Sequence, residues 1–297
     1  MLSSSPTCVD PAHLHPRDDA ASQGGDGQAR RARAVLGLWG DLRERRRAGR
    51  LRLLLDYDGT LAPIAPRPER AAPDHAVFAL MEQLLRTPSL DVALVSGRSR
   101  DTLQAWFGHL PLPMWAEHGL WHRPADARSW RETVAGSSAW MHDVVPTIQQ
   151  AASAAAGARV ERKVSSVAFH YREADPTVGL RAASALRRQL VEVIADRPLE
   201  VIDGKMVIEV RRAGVSKAIA ARHVAAAGVD PVLIVAFGDD HTDEELFAAL
   251  PAQSLTVAVG ADIAVADHRL VDVADVRRVL AVLATAQLAT DVVAGHG

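Results

Sequence analysis

Residues 51–61 read Leu-Arg-Leu-Leu-Leu-Asp-Tyr-Asp-Gly-Thr-Leu, and this stretch decides the fold. An apolar run short enough for one buried strand stops abruptly at two acids, a glycine and a threonine. Strand side chains alternate faces, so Asp56 and Asp58 point one way and Tyr57 the other. Two like charges so close repel, and a divalent metal between them is the simplest remedy. Gly59 permits a sharp turn with positive φ, leaving backbone N–H groups free to face an anion. Carboxylates, metal and anion cradle together point to phosphoryl transfer.

The totals are those of an ordinary globular protein. The 297 residues, 48% of them hydrophobic, suffice for two domains with real cores. A formal net charge of −2, from 34 basic and 36 acidic residues, gives no overall field for nucleic acid or an anionic membrane. The sole cysteine, Cys8, excludes an internal disulfide framework and a cysteine-based zinc site, and suits a reducing cytoplasm. No signal-type h-region and no run of 18 apolar residues is readable, so neither a secretory signal nor a membrane span is expected. Arginine supplies nearly all the basic residues. Only Lys163, Lys205 and Lys217 are lysines, which marks all three as candidates for places needing a compact ammonium.

Outward from the central stretch, residues 1–27 lack periodicity and are expected to be disordered, and 28–47 read as an amphipathic helix. After the stiff loop of Pro63, Pro66 and Pro68, Asp74 caps a helix to about Arg86. Asp91–Val95 is a second buried strand, ending in Ser96-Gly97-Arg98, and Met114–Ala116 a third, ending in Glu117-His118-Gly119. Val232–Phe237 and Leu255–Val259 add strands, and a segment at 273–285 adds a helix. The alternation predicts an α/β fold, a doubly wound Rossmann-like parallel sheet. The stretch from Ser96 to Lys217 is too long for one crossover, which predicts an inserted smaller α/β domain at 133–212 within a core of 28–132 and 213–297.

Strands are legible in the insert at 159–164, 166–172 and 205–211, each with one charged face, and at 199–202. Asp203-Gly204 gives a tight-hairpin signal between the last two. Helices near 137–156 and 176–195 cover the apolar face.

Three strand ends of the core thus carry Asp56 and Asp58, Ser96, and Asp239 and Asp243, while a helix at 215–227 brings Lys217. In open α/β sheets ligands bind at the carboxyl ends of the strands. Carboxylates without histidine or cysteine clustering favour Mg²⁺. One acid can attack phosphorus while its neighbour serves as general acid and base. Each residue also has a plainer reading: Ser96 as a helix cap, Lys217 as a solvated helix lysine, and Asp240 as a helix-start acid.

Asp-Tyr-Asp-Gly-Thr-Leu, Ser-Gly-Arg, a lone lysine and Gly-Asp-Asp-His-Thr-Asp-Glu resemble the four motifs of the haloacid dehalogenase-like phosphatases, in order and in spacing. The long insert resembles a cap of the kind placed at the second cap position (C2). Ala-Glu-His-Gly at 116–119, Glu161-x-Lys163, Ala168–Arg172 and Gly204-Lys205-x-Val207-x-Glu209 are similar to the trehalose-6-phosphate phosphatase family within that group. The resemblance covers about residues 50–283. It implies a Mg²⁺-dependent hydrolysis of trehalose 6-phosphate with Asp56 as nucleophile and Asp58 as acid and base. Asp56, the Asp58 carbonyl and Asp239 would hold the metal with Asp243 orienting them, and Ser96 and Lys217 would stabilise phosphoryl oxygens. Gly59, Thr60, Gly97, Arg98, Glu117, His118, Glu161, Lys163 and Glu209 are the expected substrate contacts. The pattern departs near Lys217, where Arg212 stands for a common proline and Ala218 for a glycine. Arg172 and Lys205 stay undecided between substrate and solvent, and His241 reads as a surface residue. The core motifs alone also allow another sugar-phosphate phosphatase, or a silent sugar-phosphate-binding regulatory subunit.

Overall fold

β1 (Arg50–Leu55) runs through the middle of an eight-stranded sheet in the computed structural model, which describes residues 19–45, 50–65, 67–226, 232–260 and 263–285. Leu51, Leu53, Leu54 and Leu55 are all fully buried, as a strand covered on both faces requires. Leu53 and Leu55 pack into one apolar layer, and Leu54 into the other. Helices α1 (Asp19–Arg45), α2 (His75–Leu85), α3 (Arg100–Phe107) and α8 (Val273–Thr285) supply the first layer. On the opposite face lie α6 (Ala218–Ala226) and α7 (His241–Ala248). α1 reaches back to Asp19, into the stretch expected to be disordered. Its Asp-Ala-Ala-Ser-Gln start carries no proline to stop it, and Leu38 and Leu42 anchor the far end in the core. Residues 1–18 lie outside the described residues.

β2 (Leu90–Val95) and β3 (Met114–Ala116) extend the sheet on one side of β1, and β10 (Val232–Gly238), β11 (Leu255–Val259) and β12 (His268–Leu270) on the other, all parallel. β4 (Trp121–Arg123) and β5 (Arg131–Glu132) finish one edge antiparallel. β4, β5 and β12 are too short to give a periodic signal in the sequence. Register brings the site together. Leu55 pairs with Phe237 and with Leu94, so the chain leaves β1, β2 and β10 at one level and delivers Asp56, Ser96 and Asp239 side by side.

A second sheet follows β5 and ends before α6; it forms the cap over that edge. Its order is β6-β7-β9-β8, with β6 (Arg159–Arg162), β7 (Ser166–His170), β8 (Leu199–Gly204) and β9 (Val207–Arg212) antiparallel. Val167, Phe169, Ile208 and Val210 face α4 (Met141–Ala154) and α5 (Pro176–Val193) in a core of their own. Asp175 caps α5, accepting from Thr177 and Val178 N–H at 3.0 Å each. Glu161, Ala168 and Glu209 stand abreast on the other face, so two carboxylates flank one small side chain.

The hairpin turn lies two residues later than the Asp203-Gly204 signal suggests. Gly204 pairs with Val207, and Lys205 and Met206 make the turn, Met206 taking φ 61°. This register pairs all six residues of β8 and sets Val201 opposite the fully buried Val210. As a result Lys205 stands at the hairpin's tip and not within a strand. Among the described residues no helix is long and apolar enough to cross a membrane.

Candidate active site

Carboxylate oxygens of Asp56, Asp239 and Asp243, all buried, lie within 4.8 Å of one another at the carboxyl edge of β1 and β10. Burial pushes the Asp56 carboxyl well above its ordinary range. Lys217 pulls it down, and Asp243 and Asp239 push it further up. Burial likewise raises Asp239 against the pull of Lys205. Lys217 Nζ donates to Asp56 Oδ1 and to Asp243 Oδ1, at 2.7 Å each. Burial favours a neutral amine there, but Asp243 and Asp56 outweigh it and keep Lys217 an ammonium. A buried trio of acids with Lys217 shared between two of them and Lys205 on the third is still one positive charge short. Three hard oxygen donors of this kind suit a small divalent cation better than they suit each other.

Asp243 is held for the purpose of orientation. Its Oδ2 accepts from Asp239 N–H and Asp240 N–H, at 3.1 Å each, while Asp240 caps α7. Gly59, with φ 79°, has no room for a side chain, since a Cβ there would fall 2.1 Å from Asp239 Oδ2. Asp58 does not join the carboxylate trio. Arg98 grips it with both prongs of its guanidinium, Nε at 2.7 Å and Nη2 at 2.6 Å, and lies over the Trp106 ring. The Ser96 hydroxyl, buried, accepts from Arg98 N–H at 3.1 Å.

A cavity of about 220 Å³ opens between this edge and the cap. Of the sequence candidates, Asp56, Asp58, Gly97, Arg98, His118, Glu161, Lys163, Lys217 and Asp239 line it. Gly59, Thr60, Ser96, Glu117, Glu209 and Asp243 do not. Glu209 sits behind the lining, largely covered, with Lys163 Nζ at 3.9 Å and His118 Nε2 at 3.8 Å. Burial works against its charge, but Lys163 and then His118 hold its pKa down at about 2. Glu161 is held at about 2 as well, Lys163 and a 2.8 Å contact with His170 overcoming burial. His118 is pushed down to about 3 by burial and is neutral; its Nδ1 is buried without a partner. The Glu117 carboxylate turns away from the cavity into the cap.

Arg172 and Lys205, left undecided by the sequence, both line the cavity. Arg172 donates to the carbonyls of Ala65 at 3.3 Å and Lys205 at 2.9 Å, bridging core loop and hairpin tip. Asp240 and His170 line it too, and His241, expected at the surface, is exposed and pairs with Asp240. The Glu161–His170 pairing was hidden in the sequence, because only strand register sets β6 against β7.

Residues 54–273 match the family model described as trehalose-phosphatase. The chain belongs to the trehalose-phosphatase family. It is 36% identical over 234 residues to a bifunctional trehalose-6-phosphate synthase/phosphatase of Thermoproteus tenax, covering 79% of this chain and 32% of that protein. Over 226 residues it is 31% identical to a trehalose-phosphatase of Zygosaccharomyces rouxii, covering 69% and 25%. The chain therefore spans a quarter to a third of the length of these relatives. The C-terminal domain of Candida albicans trehalose-6-phosphate phosphatase superposes with a TM-score of 0.77 at 27% identity, covering 82% of this chain and 95% of that one. Within the trehalose-phosphatase family and its haloacid dehalogenase-like fold, this chain gathers Asp56, Asp239 and Asp243 into a cluster able to hold a metal.

Proposed function

We propose that this chain hydrolyses trehalose 6-phosphate to trehalose and phosphate through an aspartyl-phosphate on Asp56. One observation carries the reading: Asp56 sits between Lys217 and Asp239 on the floor of a cavity that Glu161 and Lys163 of the cap roof over. An Asp56 oxygen attacks phosphorus and the bond to the sugar's 6-oxygen breaks, with Asp58 giving that oxygen its proton. Asp58 then takes a proton from water, whose oxygen displaces Asp56 from phosphorus and releases phosphate. Lys217 meets the charge that builds on the phosphoryl oxygens. Arg98 holds the Asp58 carboxyl in place through both oxygens, and one prong must swing off for that carboxyl to carry the proton; the half-buried cap charges of Lys163 and Glu161 favour a polyhydroxylated leaving group over an apolar one.

The donor set supports Mg²⁺ as the cation. Asp56, Asp239 and the Asp58 carbonyl would hold it, with Asp243 orienting them, and when bound it would neutralise phosphoryl charge. The single cysteine supports a cytoplasmic setting. A panel of trehalose, sucrose and mannosyl phosphates, with Mg²⁺ and with chelator, tests the proposal. Mg²⁺-dependent phosphate release fastest from trehalose 6-phosphate is expected, and equal rates across the panel would refute the disaccharide assignment.

A further inference from the structure

Glu117 is a buried carboxylate that the reaction above does not use. It stands just beyond β3 in a run of three left-handed residues, Glu117 at φ 48°, His118 at 56° and Gly119 at 100°. Two successive non-glycine residues in that region are strained, and such strain persists only where the surroundings over-determine it. Here they do. Glu117 N–H donates to Arg98 O at 2.9 Å, His118 N–H to Ser96 O at 3.1 Å, and Leu120 N–H to Glu117 O at 3.2 Å. The bend sends the two neighbouring side chains apart, His118 to the cavity and Glu117 to the cap.

In the cap, Glu117 Oε2 accepts from Val164 N–H at 2.9 Å, Ser165 N–H at 3.2 Å and Ser165 Oγ at 3.4 Å. These belong to the turn between β6 and β7, which Lys163 opens by donating its N–H to Ser166 O at 2.9 Å. Ser165 O in turn accepts from Arg212 N–H at 3.1 Å, where the chain leaves the cap. The contact therefore lies at the end of the cap sheet where the chain returns to the core, opposite the Lys205 tip.

We propose that Glu117 is a positioning residue: a core carboxylate that pins this turn as the cap's fixed point on the core and thereby sets Lys163 over the cavity. The proposal rests on the phosphatase reading for its kinetic consequence, but the contact itself can be tested apart from any substrate. Glutamine can still accept from both amides, aspartate is one methylene too short, and alanine accepts nothing.

The test measures hydrogen exchange of the Val164 and Ser165 amides together with steady-state constants for trehalose 6-phosphate and p-nitrophenyl phosphate, in the full chain. In Glu117→Ala the two amides are expected to exchange at least about tenfold faster, as loss of a charge-assisted acceptor implies. KM for trehalose 6-phosphate should rise about tenfold while kcat/KM for the aryl phosphate stays within about twofold. Glu117→Gln should restore both readings, and Glu117→Asp should behave as the alanine variant does, which also serves if the alanine chain does not fold. Unchanged exchange, equal loss on both substrates, or failure of glutamine to rescue would each overturn the proposal. A wild-type chain inactive on trehalose 6-phosphate would instead count against the assigned substrate, and the exchange data would still decide the role of Glu117.

Discussion

Lys205 Nζ lies 2.5 Å from Asp239 Oδ2 and 2.9 Å from the Asp239 carbonyl oxygen, so the tip of the cap hairpin rests on one of the acids at the centre of the site. Arg172 braces the tip from the other side through the Lys205 carbonyl. An ammonium and a divalent cation on the same carboxylate repel each other, strongly where the acid is as buried as Asp239. Cap docking through Lys205 and cation binding at Asp239 are therefore opposed.

Removing the ammonium should strengthen cation binding. Lys205→Met is expected to bind Mn²⁺ about five- to tenfold more tightly than the parent chain without substrate, the size of one partly screened like-charge contact. Calorimetric titration of the two chains measures it, with Asp239→Asn to show that the site is the acidic cluster. Equal or weaker binding in the methionine variant would mean that Lys205 and the cation occupy Asp239 together.

Asp56→Asn keeps the side chain's shape and removes the attacking oxygen's charge. Phosphate release should fall by at least about a thousandfold, as loss of a covalent nucleophile does. Folding should survive, because Lys217 keeps Asp243 at 2.7 Å and a carboxyl already pushed up by burial is replaced by a neutral group. Phosphate assay and thermal melting together check this, and turnover near that of the parent would take the nucleophile's role from Asp56.

Arg98 holds Asp58 through a planar fork that a lysine cannot copy. In Arg98→Lys, kcat on trehalose 6-phosphate is expected to drop about ten- to a hundredfold. p-Nitrophenyl phosphate should suffer less, since its leaving group departs without being protonated. A drop of the same size on both esters would show that the clamp does not act through Asp58.

Some of this was legible in the residues themselves. The buried Leu53–Leu55 run announces a central strand, and the scarcity of lysine singles out Lys163, Lys205 and Lys217, all of which line the cavity. What the sequence hid depends on register and on long-range pairing. The hairpin turn at Lys205-Met206 carries no glycine, asparagine or aspartate to mark it, while the stronger local signal two residues earlier is outvoted by the burial of Val210. Glu117 looks like any acid beside a turn, and nothing local shows that its partners are amides 47 and 48 residues away. Likewise, the bidentate pairing of Arg98 with Asp58 joins residues 40 apart, so only the parallel crossover reveals it.

His118 makes the stability of the chain depend on pH in a window of its own. Burial pushes its pKa down to about 3 against the pull of Glu209, with Lys163, Lys217 and Arg211 also disfavouring the charge. Above pH ~6.5 the imidazole is neutral in both folded and unfolded chains and contributes nothing to the pH dependence. Between ~6.5 and 3 the unfolded chain takes up a proton that the folded chain refuses, so stability falls as pH falls; below about 3 both are protonated and the loss stops. Glu161 and Glu209, held at about 2, withdraw their stabilisation only from the ordinary carboxylate range down to that value. His122, pushed down to about 4, shares the upper window but is present in any variant of His118. Asparagine tolerates the left-handed backbone at this position, so His118→Asn isolates the imidazole. From pH 7 to 5 the parent chain should lose about 2 kcal/mol more unfolding free energy than the asparagine variant, measured by denaturant titration. Matching slopes would mean that His118 accepts its proton at no cost, with water reaching the ring that the closed cap shields.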